Sequence, residues 1–365
     1  MTLGWNWFAL SIGIAGCSLV ACQRTKAHDE NGAASSQAAP AQLSAVNGSK
    51  PRTLTIGAYT TPREPYGKAI LPAFQRLWQA KHGETLKFEE SYLGSGAQAR
   101  AIVGGFEADV AALSLEADIK RIAEAGLITN DWKANPTKGM VTRSVVVIGV
   151  RPGNPKAIHD WIDLAKPGYK VLTPNVRTSG GAMWNILAIW GAAQRGKAGV
   201  ATGDANAAVN LLSGIIKNVQ IMDKGARESM LTFENGIGDA IITYENEVLV
   251  AKKSGKSYDY VVPTSTILIE NPVAVVDKYA ARHQTQDLAL AFVEFLATKP
   301  AQEAFASFGY RPVNPEVEKA TSGQFPSVND LFSIADLGGW EEVGKTVFGP
   351  AGAYEKATAA AGKSK

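Results

Sequence analysis

The run Ser144–Val150 (SVVVIGV) has no polar residue after its first. A half-exposed strand alternates polar and apolar residues. A continuous apolar run this short predicts a central strand buried on both faces, which requires helices over both sides of its sheet. The neighbouring segments supply them. Leu54–Tyr59 reads as a strand, closed by a turn at Thr60-Thr61-Pro62. Over 69–81, Ile70, Phe74, Leu77 and Trp78 recur at helical spacing. A strand over 85–92 is broken by Gly94-Ser95-Gly96 before a helix from Ala97 to Val103. A buried strand over 109–113 then precedes a helix over 116–125. Short strands over 171–173, 219–222 and 239–243 surround a long helix from Ser179 to Gln194, and helices over 287–296 and 300–308 follow. This alternation predicts an α/β protein with mainly parallel sheets flanked by helices. With 365 residues, two domains are expected. The passage from Glu247–Lys253 into Tyr258–Pro263 reads as a crossing between them.

Several chemistries are poorly supported. The two cysteines, Cys17 and Cys22, both precede the expected folded body, so that body has no disulfide framework, cysteine zinc site or thiol nucleophile. The four histidines (His28, His82, His159, His283) are scattered singly, without the i, i+4 pair of a helical metal site. With 37 Lys+Arg against 34 Asp+Glu there is no basic block, which argues against nucleic-acid binding. Gly236-Ile237-Gly238 lacks the third glycine of a dinucleotide fingerprint. No phosphate-loop motif and no G-x-S-x-G elbow occurs.

Residues 1–22 read as a targeting leader. Met1 to Ala21 carry no charge, and Leu19-Val20-Ala21-Cys22 resembles the lipobox of bacterial lipoproteins, in which the cysteine is lipidated. Ile14-Ala15-Gly16-Cys17 fits the same pattern, but Cys22 is preferred because the polar segment begins directly after it. The lipobox pattern usually carries Lys or Arg before the apolar run, and here there is none. Residues 23–52, rich in Ala, Ser, Gln and Gly, read as a flexible tether. The folded body is therefore expected outside the cytoplasmic membrane, in the periplasm or lipid-anchored at the outer face.

One local pattern recurs: a strand, a turn of small residues, then a helix start. It occurs at Leu93-Gly94-Ser95-Gly96, at Thr178-Ser179-Gly180-Gly181 and at Lys224-Gly225-Ala226-Arg227. The first N–H groups of a helix lack internal partners, and the macrodipole adds roughly half a positive charge there. Several such ends converging form an anion site without a cation inside it. Taken singly, each turn is better explained as ordinary N-capping.

At these residues the chain resembles the periplasmic sulfate-binding proteins of ABC-type sulfate/thiosulfate importers. The matching stretches run in order from about Thr53 to Phe348. They include Tyr59–Tyr66 (YTTPREPY), Gly94–Gln98, Asn154–Trp161, Ser179–Asn185, Gly225–Arg227, Gly236–Asp239, Tyr244–Glu247, Tyr310–Pro312 and Gly338–Trp340. The resemblance implies a type II periplasmic-binding-protein-like fold with a ligand cleft between two lobes. Lobe 1 is expected from 53–138 plus about 248–305, and lobe 2 from 139–247 plus about 306–365. The ligand would be a dehydrated inorganic oxyanion, sulfate or thiosulfate, and the partner an ABC transporter permease. No cofactor, metal or catalytic residue is implied, and the protein is expected to be a monomer.

Carried over by position, the resemblance makes Thr60 a backbone donor, where the family usually has Asp. It makes Ser95 the donor of the second turn, Ser179 a hydroxyl donor, and Gly180, Gly181 and Ala226 backbone donors. Tyr244 stands where the family has a Trp whose indole donates. An indole N–H can only donate, whereas a phenol can donate or accept, so the choice of anion is open at this position. Arg63, Arg100, Arg177 and Arg227 are expected beside the turns rather than on the ligand, Trp184 and Trp190 in packing, and Glu245 and Glu247 in support of the lobe junction. Two alternatives remain: the same fold tuned to another oxyanion such as phosphate, and an extracytoplasmic ester hydrolase using Ser95 or Ser179. The second lacks any base placed near either serine by the sequence.

Overall fold

The computed structural model describes residues 51–362. Ten strands occur among them: β1 (Arg52–Tyr59), β2 (Leu86–Leu93), β3 (Val110–Ala112), β4 (Met140–Val150), β5 (Val171–Leu172), β6 (Val219–Ile221), β7 (Ala240–Tyr244), β8 (Asp259–Val261), β9 (Ser265–Val275) and β10 (Asp330–Phe332). They follow the order β2-β1-β3-β9-β4-β7-β5-β6, with β8 beside β4 and β10 beside β9. The pairs β1–β2, β1–β3, β5–β6, β5–β7 and β9–β10 are parallel. Every antiparallel pair involves β4 or β9. The fold is therefore α/β with parallel flanks, and its antiparallel character is confined to two long central strands.

Those two strands run from one strand group to the other. β9 pairs β10 through Ser265–Ile267, β4 through Leu268–Pro272, and β3 through Val273–Val275. β4 pairs β9 at its start, then β7 and β8 through Val146–Val150. Every residue of β4 except Arg143 is buried, as the apolar run demands. β9 was not legible, because Glu270-Asn271-Pro272 interrupts its apolar pattern. Proline lacks the N–H of a strand ladder and is tolerated at bulges. Pro272 sits where the β4–β9 register shifts, and its carbonyl accepts from the Leu113 N–H at 3.0 Å.

Helices cover the sheet as anticipated, with local differences. Ile70, Phe74 and Trp78 are buried on one stripe, but Leu77 lies off that stripe and is half exposed. Arg52, expected in the tether, opens β1, and its guanidinium binds Asp287 at 2.6 Å. Residues 248–258, expected with lobe 1, pack against β4 and β7 instead. Val248, Ala251 and Tyr258 share a core with Val145, Val147 and Ile241. Conversely Phe308 and Tyr310, expected with lobe 2, pack with Phe74, Phe292 and Phe305 beside β1. Within β9 the pairing partner changes from β10 to β4 to β3. The leader, its cysteines Cys17 and Cys22, and the tether up to residue 50 lie outside the described residues. Among the described residues, no helix is long and apolar enough to cross a membrane.

A charged cluster closes the end of the β1–β3 group away from the turns. His283 Nδ1 meets the buried Asp109 carboxylate at 2.8 Å, and Nε2 meets Glu107 at 2.9 Å. Asp109 also accepts from the Thr55 N–H and the Thr285 hydroxyl, each at 2.8 Å. Burial alone would lower the imidazolium, but Asp109 and Glu107 outweigh it and hold His283 above its usual value of 6.5. A raised folded value stabilises fully below the unfolded value and loses that contribution as pH rises through the folded one. His283→Gln should therefore destabilise the protein at pH 5.5 more than at pH 8.5. Denaturant midpoints of the two proteins at both pH values check this, and an equal gap at both would rule out the protonated pair.

Candidate functional site

The three small-residue turns meet at one place. Gly94, the N-cap of helix Ser95–Val103, is wedged between the other two: a Cβ there would lie 2.4 Å from the Thr178 carbonyl oxygen and 2.7 Å from that of Lys224. The Ala97 N–H donates to the Thr178 carbonyl at 3.3 Å, and the Thr178 hydroxyl donates to the Lys224 carbonyl at 2.8 Å. Gly225, the N-cap of helix Ala226–Glu234, lies against Thr60, with the Thr60 hydroxyl 3.0 Å from the position its Cβ would take. A Cβ on Gly181 would come within 2.8 Å of the Tyr244 ring, 3.2 Å of the Ala226 Cβ and 3.4 Å of the Ser179 hydroxyl. Thr60, Ser95, Ser179, Gly180, Gly181, Ala226 and Tyr244 are thus brought together, and all seven are buried.

Four amides in this cluster have a local reason to be unpaired. Ser95, Gly180 and Ala226 are the first residues of their helices, and Gly181 the second, so their N–H groups have no intrahelical acceptor. Ser179 is the N-cap of helix Gly180–Gln194, and its hydroxyl oxygen accepts from the Ala182 N–H at 3.3 Å. The capping explanation therefore holds for Ser179, yet capping uses only a lone pair and leaves the hydroxyl proton free to donate. Tyr244 ends β7 and caps helix Glu245–Lys253. Burial pushes its phenol well above its usual range, so it stays protonated.

Ser114 was not anticipated. It lies between β3 and helix Glu116–Glu124, a further strand-to-helix junction, but one without glycine. Its hydroxyl is 2.7 Å from that of Tyr244. Its N–H donates to the Ser95 hydroxyl at 3.0 Å, and its carbonyl accepts from Trp184 Nε1 and Asn271 Nδ2, both at 3.1 Å. The Ser95 hydroxyl in turn donates to the buried Asp118 at 2.6 Å. Burial raises the Asp118 carboxyl against the opposing pull of that hydroxyl and of Arg121 and Arg100. A carboxylate thus stands beside Ser95, a contact the sequence did not reveal. The Ser95 hydroxyl is engaged on both sides, which leaves its backbone N–H as the group available to a ligand. Trp184 is a packing residue, buried edge-on against Trp340 with ring centroids 4.8 Å apart.

The charged neighbours are committed to one another. Arg227 Nε lies 3.2 Å from the fully buried Glu247, and its Nη1 lies 3.7 Å from Glu64. Burial pushes the Glu247 carboxyl up, with Arg227 opposing. Glu245 is bound by Arg311 through two contacts at 2.7 and 3.0 Å, which ties the start of helix Glu245–Lys253 to the segment after Tyr310. Arg63 lies over the Tyr92 ring. Among the described residues, no group of three or more His, Cys, Asp or Glu side chains could hold a metal ion. Chemically, the cluster can surround a small guest with N–H and O–H donors.

The model of one family, described as bacterial extracellular solute-binding protein, matches residues 54–311. The sulfate-binding protein of Synechococcus elongatus is 42% identical over 317 residues, covering 86% of this chain and 89% of that protein. The thiosulfate-binding protein of Escherichia coli is 36% identical over 314 residues, covering 84% of this chain and 91% of that protein. Among solved structures, the sulfate-binding protein SubI from Mycobacterium tuberculosis H37Rv is similar at 38% identity, over 80% of this chain and 98% of that one, with a TM-score of 0.73. With the family match running from β1 to the segment that binds Glu245, this chain belongs to the bacterial extracellular solute-binding protein family.

Proposed function

We propose that this protein captures sulfate, or the related thiosulfate, in a cleft between two lobes and delivers it to an ABC-type importer. The observation that carries this reading is the convergence of three helix N-termini on one buried point, with Arg227 already paired to Glu247 and Glu64. Thr60, Ser95, Gly180, Gly181 and Ala226 donate through backbone N–H groups, and Ser179 and Tyr244 through hydroxyls. A dianion suits such a cage, because oriented amides supply partial positive charge without a counter-ion. The sulfate- and thiosulfate-binding relatives support the ligand class. One lobe comprises β1–β3 and the helices packed on them, the other β5–β8 and theirs, with β4 and β9 as the hinge. The protein works as a monomer in the periplasm or at the outer face of the cell membrane, held there by lipid on Cys22.

Isothermal titration of the purified body with sulfate, thiosulfate, phosphate and molybdate tests this reading. Sulfate or thiosulfate should bind tightest, with weak salt dependence, because a buried donor cage is screened far less than surface charge. Binding of none of them overturns it. Ser179→Ala should weaken sulfate by about 1.5–2 kcal/mol, roughly 10- to 30-fold, as for one hydrogen bond to a charged group. An affinity within twofold of wild type would remove Ser179 from the site. The Ser95–Asp118 contact favours one further measurement, release of sulfate from an aryl sulfate ester. No turnover is expected, since the Ser95 hydroxyl is engaged by both Asp118 and the Ser114 N–H.

A further inference from the structure

We propose that Ser114-Leu115 is a peg on the β1–β3 lobe that seats in a socket of the opposite lobe and holds the two together, even before the anion arrives. The inference rests on the two-lobe reading above and makes Leu115 a positioning residue for capture. The chain changes cores within three residues. Leu113 packs with Ala99, Ile102 and Ile119, on the two helices beside β3, whereas Leu115 belongs to the core of Trp184, Ala226 and Tyr244. Leu115 is also the N-cap of helix Glu116–Glu124, where its side chain makes no capping bond. Leucine is among the poorest N-cap residues, so packing rather than helix initiation accounts for it there.

Gly180 opens the socket. A Cβ there would lie 2.6 Å from the Ser114 hydroxyl oxygen and 2.9 Å from Leu115 Cγ, so any larger residue would push the peg out. Trp184, one turn along the same helix, donates its Nε1–H to the Ser114 carbonyl at 3.1 Å. Tyr244, at the end of β7, has its hydroxyl 2.7 Å from that of Ser114. The Ser114 carbonyl accepts from Asn271 Nδ2 as well, at 3.1 Å, which ties both lobes to the hinge strand β9. Ser114 and Leu115 are both buried. Separating the lobes would return the Leu115 side chain to water, at a cost that grows with the apolar area exposed. That side chain has no polar atom to offer an anion. It acts on affinity through the fraction of molecules whose lobes are together, because the apparent dissociation constant rises as that fraction falls.

The Ala97 N–H donates to the Thr178 carbonyl across the lobes at 3.3 Å, so its hydrogen exchange reads their separation. In the full-length protein without anion, Leu115→Ala should speed exchange at Ala97 roughly 10-fold, and clearly more than in β1, which pairs within one lobe. Sulfate should release about 10-fold faster from Leu115→Ala, with its association rate changed less than about threefold. Leu115→Met keeps the volume and should restore both readouts. Leu115→Val, a milder truncation, should shift both in the same direction and serves if Leu115→Ala does not fold. Exchange that rises equally at Ala97 and in β1, or sulfate release within about twofold of wild type, would overturn the peg and leave Leu115 a residue of the fold alone. The exchange comparison needs no ligand. A wild type that binds no sulfate would therefore overturn the function proposed above, while Ala97 would still decide for or against the peg.

Discussion

Replacing Arg227 with Met should cost the ligand-free protein up to about 3 kcal/mol of folding stability at pH 7. Glu247 has no exposed side-chain surface, and Arg227 is the cation beside it. Removing one partner of a buried pair leaves an uncompensated charge, which is far more damaging than replacing both. The carboxyl escapes by taking a proton, and burial already pushes it that way. Protonation caps the penalty. Holding a group with an ordinary value of 4.5 neutral at pH 7 spans about 2.5 pH units at about 1.4 kcal/mol each, which sets a ceiling of about 3 kcal/mol, part of which wild type already bears because burial raises its Glu247. The sign follows from linkage. With its folded value raised further, Glu247 imposes no penalty below its unfolded value and a growing one as pH rises. The gap between wild type and Arg227→Met should therefore narrow from pH 7 to pH 5, and Glu247→Gln added to Arg227→Met should recover much of it. Urea unfolding across that range is the measurement. A gap independent of pH would mean that Arg227 acts through packing alone.

The second large effect should come from a single methyl group on Gly94. The backbone there is unremarkable, with φ −56° and ψ 141°, so alanine is not strained by its own conformation. The obstacle is steric: the methyl would lie 2.4 Å from the Thr178 carbonyl oxygen and 2.7 Å from the Lys224 carbonyl oxygen. These atoms belong to the two other turns and are rigid backbone, tied by the Thr178 hydroxyl bond. Relief requires the turns to separate, which spreads the donors apart. Overpacking of this kind costs about 1–3 kcal/mol, or roughly 5- to 150-fold in dissociation constant. Gly94→Ala should fold and melt near wild type without ligand, yet gain almost no thermal stabilisation from sulfate. A normal ligand-induced shift would mean that the turns need not meet for binding.

The donor turns were legible because they share one chemistry: small residues directly before a helix start. Ser179 shows the limit of that signal, since the hydroxyl that caps the helix also has a proton to offer, and sequence cannot choose between two roles that coexist. Ser114 escaped because its junction, between the buried Leu113 and Leu115, carries no turn of small residues. Its contacts to Ser95, Tyr244, Trp184 and Asn271 come from four distant parts of the chain, and no local pattern encodes them. β9 was hidden for a different reason. A strand buried on both faces is read from uninterrupted apolar residues, and a proline at a bulge breaks the pattern without breaking the strand. The packing of the helix at 248–253 against β4 and β7 was not legible because its composition says that it is buried, not against what.

The route of β4 and β9 also governs when this protein can fold. β3 is fully buried and takes its second neighbour from β9, far later in the chain. The core around β1 further needs Phe292, Phe305 and Tyr310, and the other core needs Phe332, Val343 and Ala357. Neither half is contiguous in sequence, so neither can close while the chain is still emerging from the ribosome. Long-range pairings of this kind slow folding and keep early segments open. The topology keeps both cores incomplete until nearly all of the chain has been made.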